Sequence, residues 1–245
     1  MKRILLSLVT IVSMSQAIEN WNDIKPHSYG RNNLTINILP GTLQNEIESG
    51  SDSVKRSVFK TFGIGIHSKA SLKEFHYKQA DFFWAGGVDW KLYKQEDLNG
   101  GDTEYSDLDA NIEFGLALNL GNLIYSGVLG GRYNYSDPTS DSDTAESTGT
   151  PFIYGEAALA YDFRTWTIGG IYKIEQGSYS EGYRGISQDI DVIKQTITIP
   201  LQYNVDRNTA VAFTPSYSVT DDRDSTLKET EYKFIIGFTW LYGLD

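Results

Sequence analysis

Three histidines, His27, His67 and His76, are the only side chains in this 245-residue chain whose unperturbed titration falls near neutrality. A histidine beside a carboxylate can act as a general base, and Asp81 and Asp89 lie at spacings that would let either meet His67. No G-x-S-x-G elbow and no zinc-ligand spacing accompanies them. The chain has no cysteine, which excludes disulfides, thiolate metal sites and a thiol nucleophile. Two acidic clusters offer oxygen ligands: Asp137, Asp141, Asp143 and Glu146 in one tract, Asp221, Asp222 and Asp224 in another. Divalent cations could gather there, although neither tract has the glycine-centred spacing of a calcium loop. As solvated acidic tracts they need no ligand at all, and "DSDTAEST" (141–148) has the composition of a disordered loop. Ten further charged residues, Asp89, Lys91, Asp109, Glu113, Arg132, Glu156, Lys173, Glu175, Lys194 and Lys233, sit at alternating positions within otherwise apolar stretches.

That alternation defines the elements that must position these groups. In "GEAALAYDFRTWTIGGIYKIE" (155–175), Ala157, Leu159, Tyr161 and Phe163 fall on one face, and Trp166, Ile168, Gly170, Tyr172 and Ile174 continue it beyond a tight turn. This is a strand, a turn and a strand. The same period of two recurs at Leu34–Ile38, Val58–Ile66, Phe82–Leu92, Leu108–Leu118, Tyr125–Tyr135, Ile193–Tyr203, Val211–Tyr217 and Tyr232–Trp240. The count is about ten strands, many of roughly a dozen residues, against about 5–6 for soluble sheets and about 9–11 for tilted membrane strands. Connections at Asn119–Asn122, Phe163–Thr165 and Asn204–Asn208 read as tight. Those at Gln95–Asp107, Asp137–Thr150, Gln176–Gln188 and Thr220–Glu229 read as long and polar. Ser68–Gln79 breaks the rule unless its strands run further inward. Pro200 and Pro215 each remove a ladder donor and are expected at bulges or near rims.

The two faces differ in kind. One carries Gly, Ala, Ser and Thr together with the ten charges, as at Gly63/Gly65, Ala85/Gly87, Gly115/Ala117 and Ala158/Ala160. Such a face suits a confined interior shared by many strands. The other face carries aliphatic residues in mid-strand and aromatics near the ends: Tyr161, Phe163, Trp166, Tyr203 and Trp240 at one, Trp90, Tyr133, Tyr217 and Tyr232 at the other. Two aromatic belts around an aliphatic band match a bilayer. At this point the chain resembles the bacterial outer-membrane β-barrel class over roughly residues 32–242, and "EYKFIIGFTWLY" (231–242) is similar to the aromatic-rich last strand of that class. The resemblance implies an all-β, up-and-down antiparallel transmembrane β-barrel with the polar face in the lumen.

The N-terminus agrees with export. Lys2 and Arg3 precede the apolar run Ile4–Val12, and Ser15-Gln16-Ala17 follows, the pattern of a signal peptide. The expected organisation is a signal peptide over 1–17, a periplasmic segment over 18–31 and the barrel over 32–245. Loss of Lys2 and Arg3, two positive charges, moves the formal charge from -11 to -13. That acidity excludes nucleic acid as a partner. Hydrophobic residues at 40% exclude a helical membrane bundle.

The expected partner is outer-membrane lipid, with divalent cations at the acidic tracts and no cofactor. Outer-membrane enzymes of this architecture resemble Asp/His proteases or lipid hydrolases, but His67 falls near the short-turn end, away from an external substrate. Mixed lumen charges either pair and plug the bore or line a narrow channel. A barrel of about eight strands is filled by side chains, and inward Gly and Ala suggest residual space beyond that. The sequence therefore reads as a non-enzymatic, narrow porin-like passage, with a structural or adhesive envelope barrel as the alternative.

Overall fold

The computed structural model describes residues 31–49, 52–56, 62–72, 80–96, 102–139, 147–163, 165–183, 186–206, 209–222 and 227–243. The expected signal peptide and most of the segment following it lie outside these residues. Every regular element described is a strand. In chain order they are β1 (Arg31–Ser49), β2 (Asp52–Arg56), β3 (Phe62–Ser71), β4 (Ala80–Glu96), β5 (Asp102–Leu120), β6 (Leu123–Pro138), β7 (Thr148–Asp162), β8 (Trp166–Tyr183), β9 (Ile186–Thr198), β10 (Leu201–Asn204), β11 (Thr209–Asp222) and β12 (Leu227–Gly243).

All pairings are antiparallel, and from β3 to β9 each strand pairs with the next in sequence, as β10, β11 and β12 do in turn. The sheet closes where β1 meets β12, with Leu34 opposite Trp240 and Ile36 opposite Phe238. β2 and β3 lie along the same edge of β1 and form one stave. β9 and β10 form another, since both pair with β8 and with β11. Ten staves result, in agreement with the count from alternation.

Of the two placements expected for Pro200 and Pro215, bulges or rims, neither proline takes the first. On either side of Pro200 the β9–β10 stave keeps a single register against β11, with Thr198 opposite Ser216 and Leu201 opposite Phe213. Ile199 N–H donates to the Pro215 carbonyl at 3.0 Å, and Gly169 N–H donates to the Pro200 carbonyl at 3.1 Å. Each proline therefore costs its ladder one donor and leaves the pleat intact. The bulges lie instead in β1, where the register shifts between Ile38 and Gly41 and again between Thr42 and Gln44. Pro40 sits at the first shift, and the broken period explains why β1 reads from sequence as a short segment.

Loop lengths also differ from expectation. Two of the four polar tracts read as long loops, Gln95–Asp107 and Gln176–Gln188, are largely strand. β4 runs to Glu96 and β5 begins at Asp102, while β8 runs to Tyr183 and β9 begins at Ile186. Beyond the apolar band these strands carry polar residues at both parities, so the sequence shows no alternation there. At the opposite end β3 extends to Ser71 and β4 begins at Ala80, shortening the anomalous connector. The tight turns there form as expected. Gly121 takes a left-handed φ of 72° between Leu120 and Leu123, which glycine reaches without strain. Asp206 caps its turn by accepting from the Thr209 N–H at 2.8 Å.

Candidate functional site

Alternation sends the apolar face outward along every stave. Phe114, Leu129 and Ile153 are exposed, with Leu129 73% accessible, while the intervening Glu113, Val128 and Tyr154 are buried. The nine belt aromatics all belong to this outward face. Trp90, Tyr133, Tyr161, Phe163, Trp166, Tyr203, Tyr232 and Trp240 are exposed, and Tyr217 is partly so. They pack in pairs, Trp166 against Tyr203 and Tyr217 against Tyr232, with ring centroids 4.8 Å apart in each.

The inward face is filled in its short-turn half. Phe83, Ala85, Ala117, Ile124, Val128, Tyr154, Ala158, Ala160 and Ile171 form one buried apolar cluster. Glycine makes it possible. A Cβ at Gly115 would stand 2.2 Å from the Phe83 ring, and one at Gly130 would stand 2.4 Å from the Tyr154 ring. Each ring occupies the space over the glycine opposite it on the neighbouring strand. The inward glycines, read from sequence as residual space, are thus partly space occupied by cross-strand aromatics. Asn33, Thr35, Gln202, Thr214 and Thr239 complete the filling, with Thr35 and Thr239 hydrogen-bonded at 2.7 Å.

Above this floor lies a cavity of about 130 Å³. Nine of the ten charged residues singled out by alternation line it, and Glu113 lies in the adjoining floor, where Tyr154 O–H donates to its Oε2 at 2.6 Å. Asn111 Nδ2 donates to the same tyrosine oxygen at 3.2 Å, and the Lys173 ammonium stands 4.0 Å above the tyrosine ring. The charges are arranged by sign. Lys91 contacts Asp109 at 3.0 Å and Asp107 at 3.7 Å. Arg132 bridges Asp109 at 2.6 Å and Glu175 at 3.0 Å, with its guanidinium 4.2 Å above the Phe152 ring. Asn134 Nδ2 adds a donor to Asp109 at 2.9 Å. Glu175 also meets Lys173 at 3.1 Å, and Lys194 meets Glu231 at 3.2 Å. Glu175 interacts electrostatically with Lys194, and Glu231 with Lys91. Lys91, Asp109, Arg132, Glu175, Lys194 and Glu231 therefore form a collar of alternating sign around the bore. Its charges are compensated within the wall, which is the condition for holding ions away from bulk water.

His67 meets Asp89, Nε2 to Oδ1 at 2.6 Å, inside the cavity rather than at a rim. Asp81, the other carboxylate within its sequence reach, instead accepts a hydrogen bond from Ser71 Oγ. His27 and His76 lie outside the described residues, as do Asp141, Asp143, Glu146 and Asp224. Asp137 accepts a hydrogen bond from Ser147 Oγ, and Asp221 is partly exposed on β11. Glu231, Tyr154 and Phe152 are members of the site that sequence reading passes over. Glu231 is missed because the last apolar alternation begins at Tyr232, whereas β12 begins at Leu227.

A closed antiparallel barrel of ten staves, with apolar side chains outside and charge pairs inside, defines the bacterial outer-membrane β-barrel class. No protein-family model matches the chain, and no curated protein matches it. Among solved structures, it is similar to the outer membrane protease OmpT from Escherichia coli, with a TM-score of 0.52 and 8% identity over 86% of this chain and 97% of that one. The β domain of the Bordetella autotransporter BrkA aligns with a TM-score of 0.48 and 7% identity over 85% of this chain and 98% of that one. At such identity the likeness to OmpT is one of fold.

Proposed function

We propose that this chain resides in the outer membrane as a barrel whose bore is sealed, and that it acts from its outer end rather than as the porin-like passage expected from sequence. The observation that carries this reading is the filled short-turn half of the bore, where Phe83 is 1% and Ile124 is 0% accessible. The charge collar above it adds a second barrier, because an ion passing through must compete with pairs already compensated in the wall. The hairpins that continue β4–β5, β6–β7 and β8–β9 past the upper belt are the surface available to partners. The His67–Asp89 pair is read here as a polar wall contact rather than a catalytic dyad, since the narrow cavity around it offers no cleft for an extended substrate.

Two experiments test this. Fractionation should recover the mature protein in the outer membrane with heat-modifiable mobility, and release as a soluble species by osmotic shock would contradict it. Proteoliposomes loaded with a small dye should retain it with the wild-type barrel. Phe83→Gly, which removes the ring covering Gly115, should leak faster. Equal and rapid leakage from both would support the porin-like reading instead.

A further inference from the structure

The upper hairpins do not all support one another. β5 pairs with β6 as far as Tyr105 opposite Pro138, β6 with β7 as far as Ser136 opposite Thr148, and β12 with β1 as far as Leu227 opposite Ser49. The β8–β9 hairpin has no such support among the described residues. β7 leaves β8 at Phe152 opposite Gly177, and Pro151, the preceding residue, has no N–H to extend that ladder. β11 leaves β9 at Asp222 opposite Val192. Beyond those points β8 and β9 pair with each other alone, from Ser178 opposite Asp191 to Tyr183 opposite Ile186. They form a two-stranded ribbon whose β9 edge, Ile186–Asp191, faces the side where β11 has ended. β11 cannot cover that edge, because it stops at Asp222 and its own partner β12 begins at Leu227.

The unpaired N–H and C=O groups of an edge strand are a template for another chain, and proteins commonly blunt such an edge with lysine, proline or a bulge. This edge has none of the three. Ile186–Asp191 contains neither Lys nor Pro, and the β8–β9 ladder keeps a single register throughout. A two-stranded ribbon is also only marginally stable in water, and a third strand relieves that weakness. Charge then selects the strand. The period of two puts positions Asp189 and Asp191 on one face of the ribbon and positions Ile186 and Ile190 on the other. Asp191 is exposed. A second copy in the same membrane would present the same carboxylates to this edge, and like charges side by side oppose pairing. A cationic strand meets no such opposition.

We infer that the Ile186–Asp191 edge of β9 is a docking site for an extended cationic polypeptide segment, which adds to the ribbon as a further strand. Main-chain hydrogen bonds along the edge attach the segment, and alternate side chains give the choice of partner. Lys or Arg at every second position of the segment stands beside Asp189 and Asp191, while the apolar residues between them share the face of Ile190. The inference rests on the reading that the chain acts from its outer end. Closure of the bore is a separate matter, read by dye retention rather than by strand addition.

The test uses the refolded full-length mature chain in a zwitterionic detergent, with a fluorescent octapeptide of alternating Lys and Val as the probe and anisotropy as the readout. Binding should saturate, and a carbonyl-labelled version of the peptide should move its amide I band to the β-sheet position when bound. An octapeptide of alternating Lys and Pro keeps the charge and lacks alternate donors. It should bind at least about tenfold more weakly, as for the loss of one or two main-chain hydrogen bonds. Alternating Glu and Val should not bind. Asp189→Asn combined with Asp191→Asn should weaken the Lys–Val peptide by about threefold or more, as for two cross-strand ion pairs. Asp102→Asn combined with Glu104→Gln, on the β4–β5 hairpin, should leave it unchanged. Replacing Ser178–Asp191 by the hairpin turn Asn-Gly should abolish binding, and heat-modifiable mobility establishes that each variant is folded. Absence of saturable binding, equal binding of the Lys–Pro peptide, an unmoved amide I band, undiminished binding to the folded shortened barrel, or equal loss in the Asp102 and Glu104 variant would overturn the site. Dye retained without peptide binding would overturn this site and leave the sealed barrel standing; dye released with peptide bound would do the reverse.

Discussion

Arg132 is the residue whose removal reads most directly on the charge collar. Its guanidinium contacts Asp109 at 2.6 Å and Glu175 at 3.0 Å, and its side chain is 17% accessible. Removing one partner of a buried pair costs about 3–5 kcal/mol when the remaining charge is left alone. Here neither carboxylate is left alone, because Asp109 keeps Lys91 at 3.0 Å and Glu175 keeps Lys173 at 3.1 Å. The loss for Arg132→Met therefore falls at the lower end of that range, about 3 kcal/mol, with loss of the cation–π contact to Phe152 included. Methionine preserves most of the apolar stem, so the loss reports the charge rather than the packing. The assay is urea unfolding of the refolded barrel in lipid vesicles, followed by tryptophan fluorescence. Surface ion pairs fade with salt and buried ones much less, so the difference should persist at high ionic strength. A variant within about 0.5 kcal/mol of wild type, as for an ordinary surface change, would show that the collar does not hold the wall together.

Four other substitutions probe the two faces and the floor. Leu116→Arg, on the outward face, should cost about 2–4 kcal/mol in the same unfolding assay, the cost of a cation near the bilayer midplane. Ala117→Ser should be near neutral, because Ala117 stands opposite Ser126, whose buried Oγ has no hydrogen-bond partner and can pair with the new hydroxyl. The reverse ranking of these two would show that the faces are exchanged. Gly115→Val should destabilise by about 1–3 kcal/mol, since its side chain would overpack against the Phe83 ring; unchanged stability would refute the filled floor. Tyr154→Phe should cost about 1.5–3 kcal/mol by deleting the donor to Glu113, and a smaller loss in urea unfolding would mean that this contact contributes little.

Facing was legible in the sequence because alternation is a local property. Glu156 and Lys173 each fall between apolar neighbours, and a strand leaves such a residue only one side of the sheet. Partnership was not legible. Arg132 reaches Glu175 across 43 residues of sequence, passing over the Phe152 ring on the intervening stave. That contact depends on the register of two hairpins and the closure of the barrel, which no short window contains. Composition also gives no sign of whether an inward glycine leaves space or accommodates a ring, and Gly115 beneath Phe83 is the second case. Strand ends were lost where the strands leave the apolar band, as at Asp102–Asp107, because polar residues at both parities remove the pattern that marks a strand.

The central claim is that side chains close the bore, and single-channel recording of the refolded wild-type protein in a planar bilayer tests it most directly. The filled floor and compensated collar predict a folded, heat-modifiable barrel that adds no discrete conductance, with steps appearing only when Phe83 is reduced to glycine. Reproducible openings from the wild-type barrel would contradict the account and establish a continuous aqueous path through it.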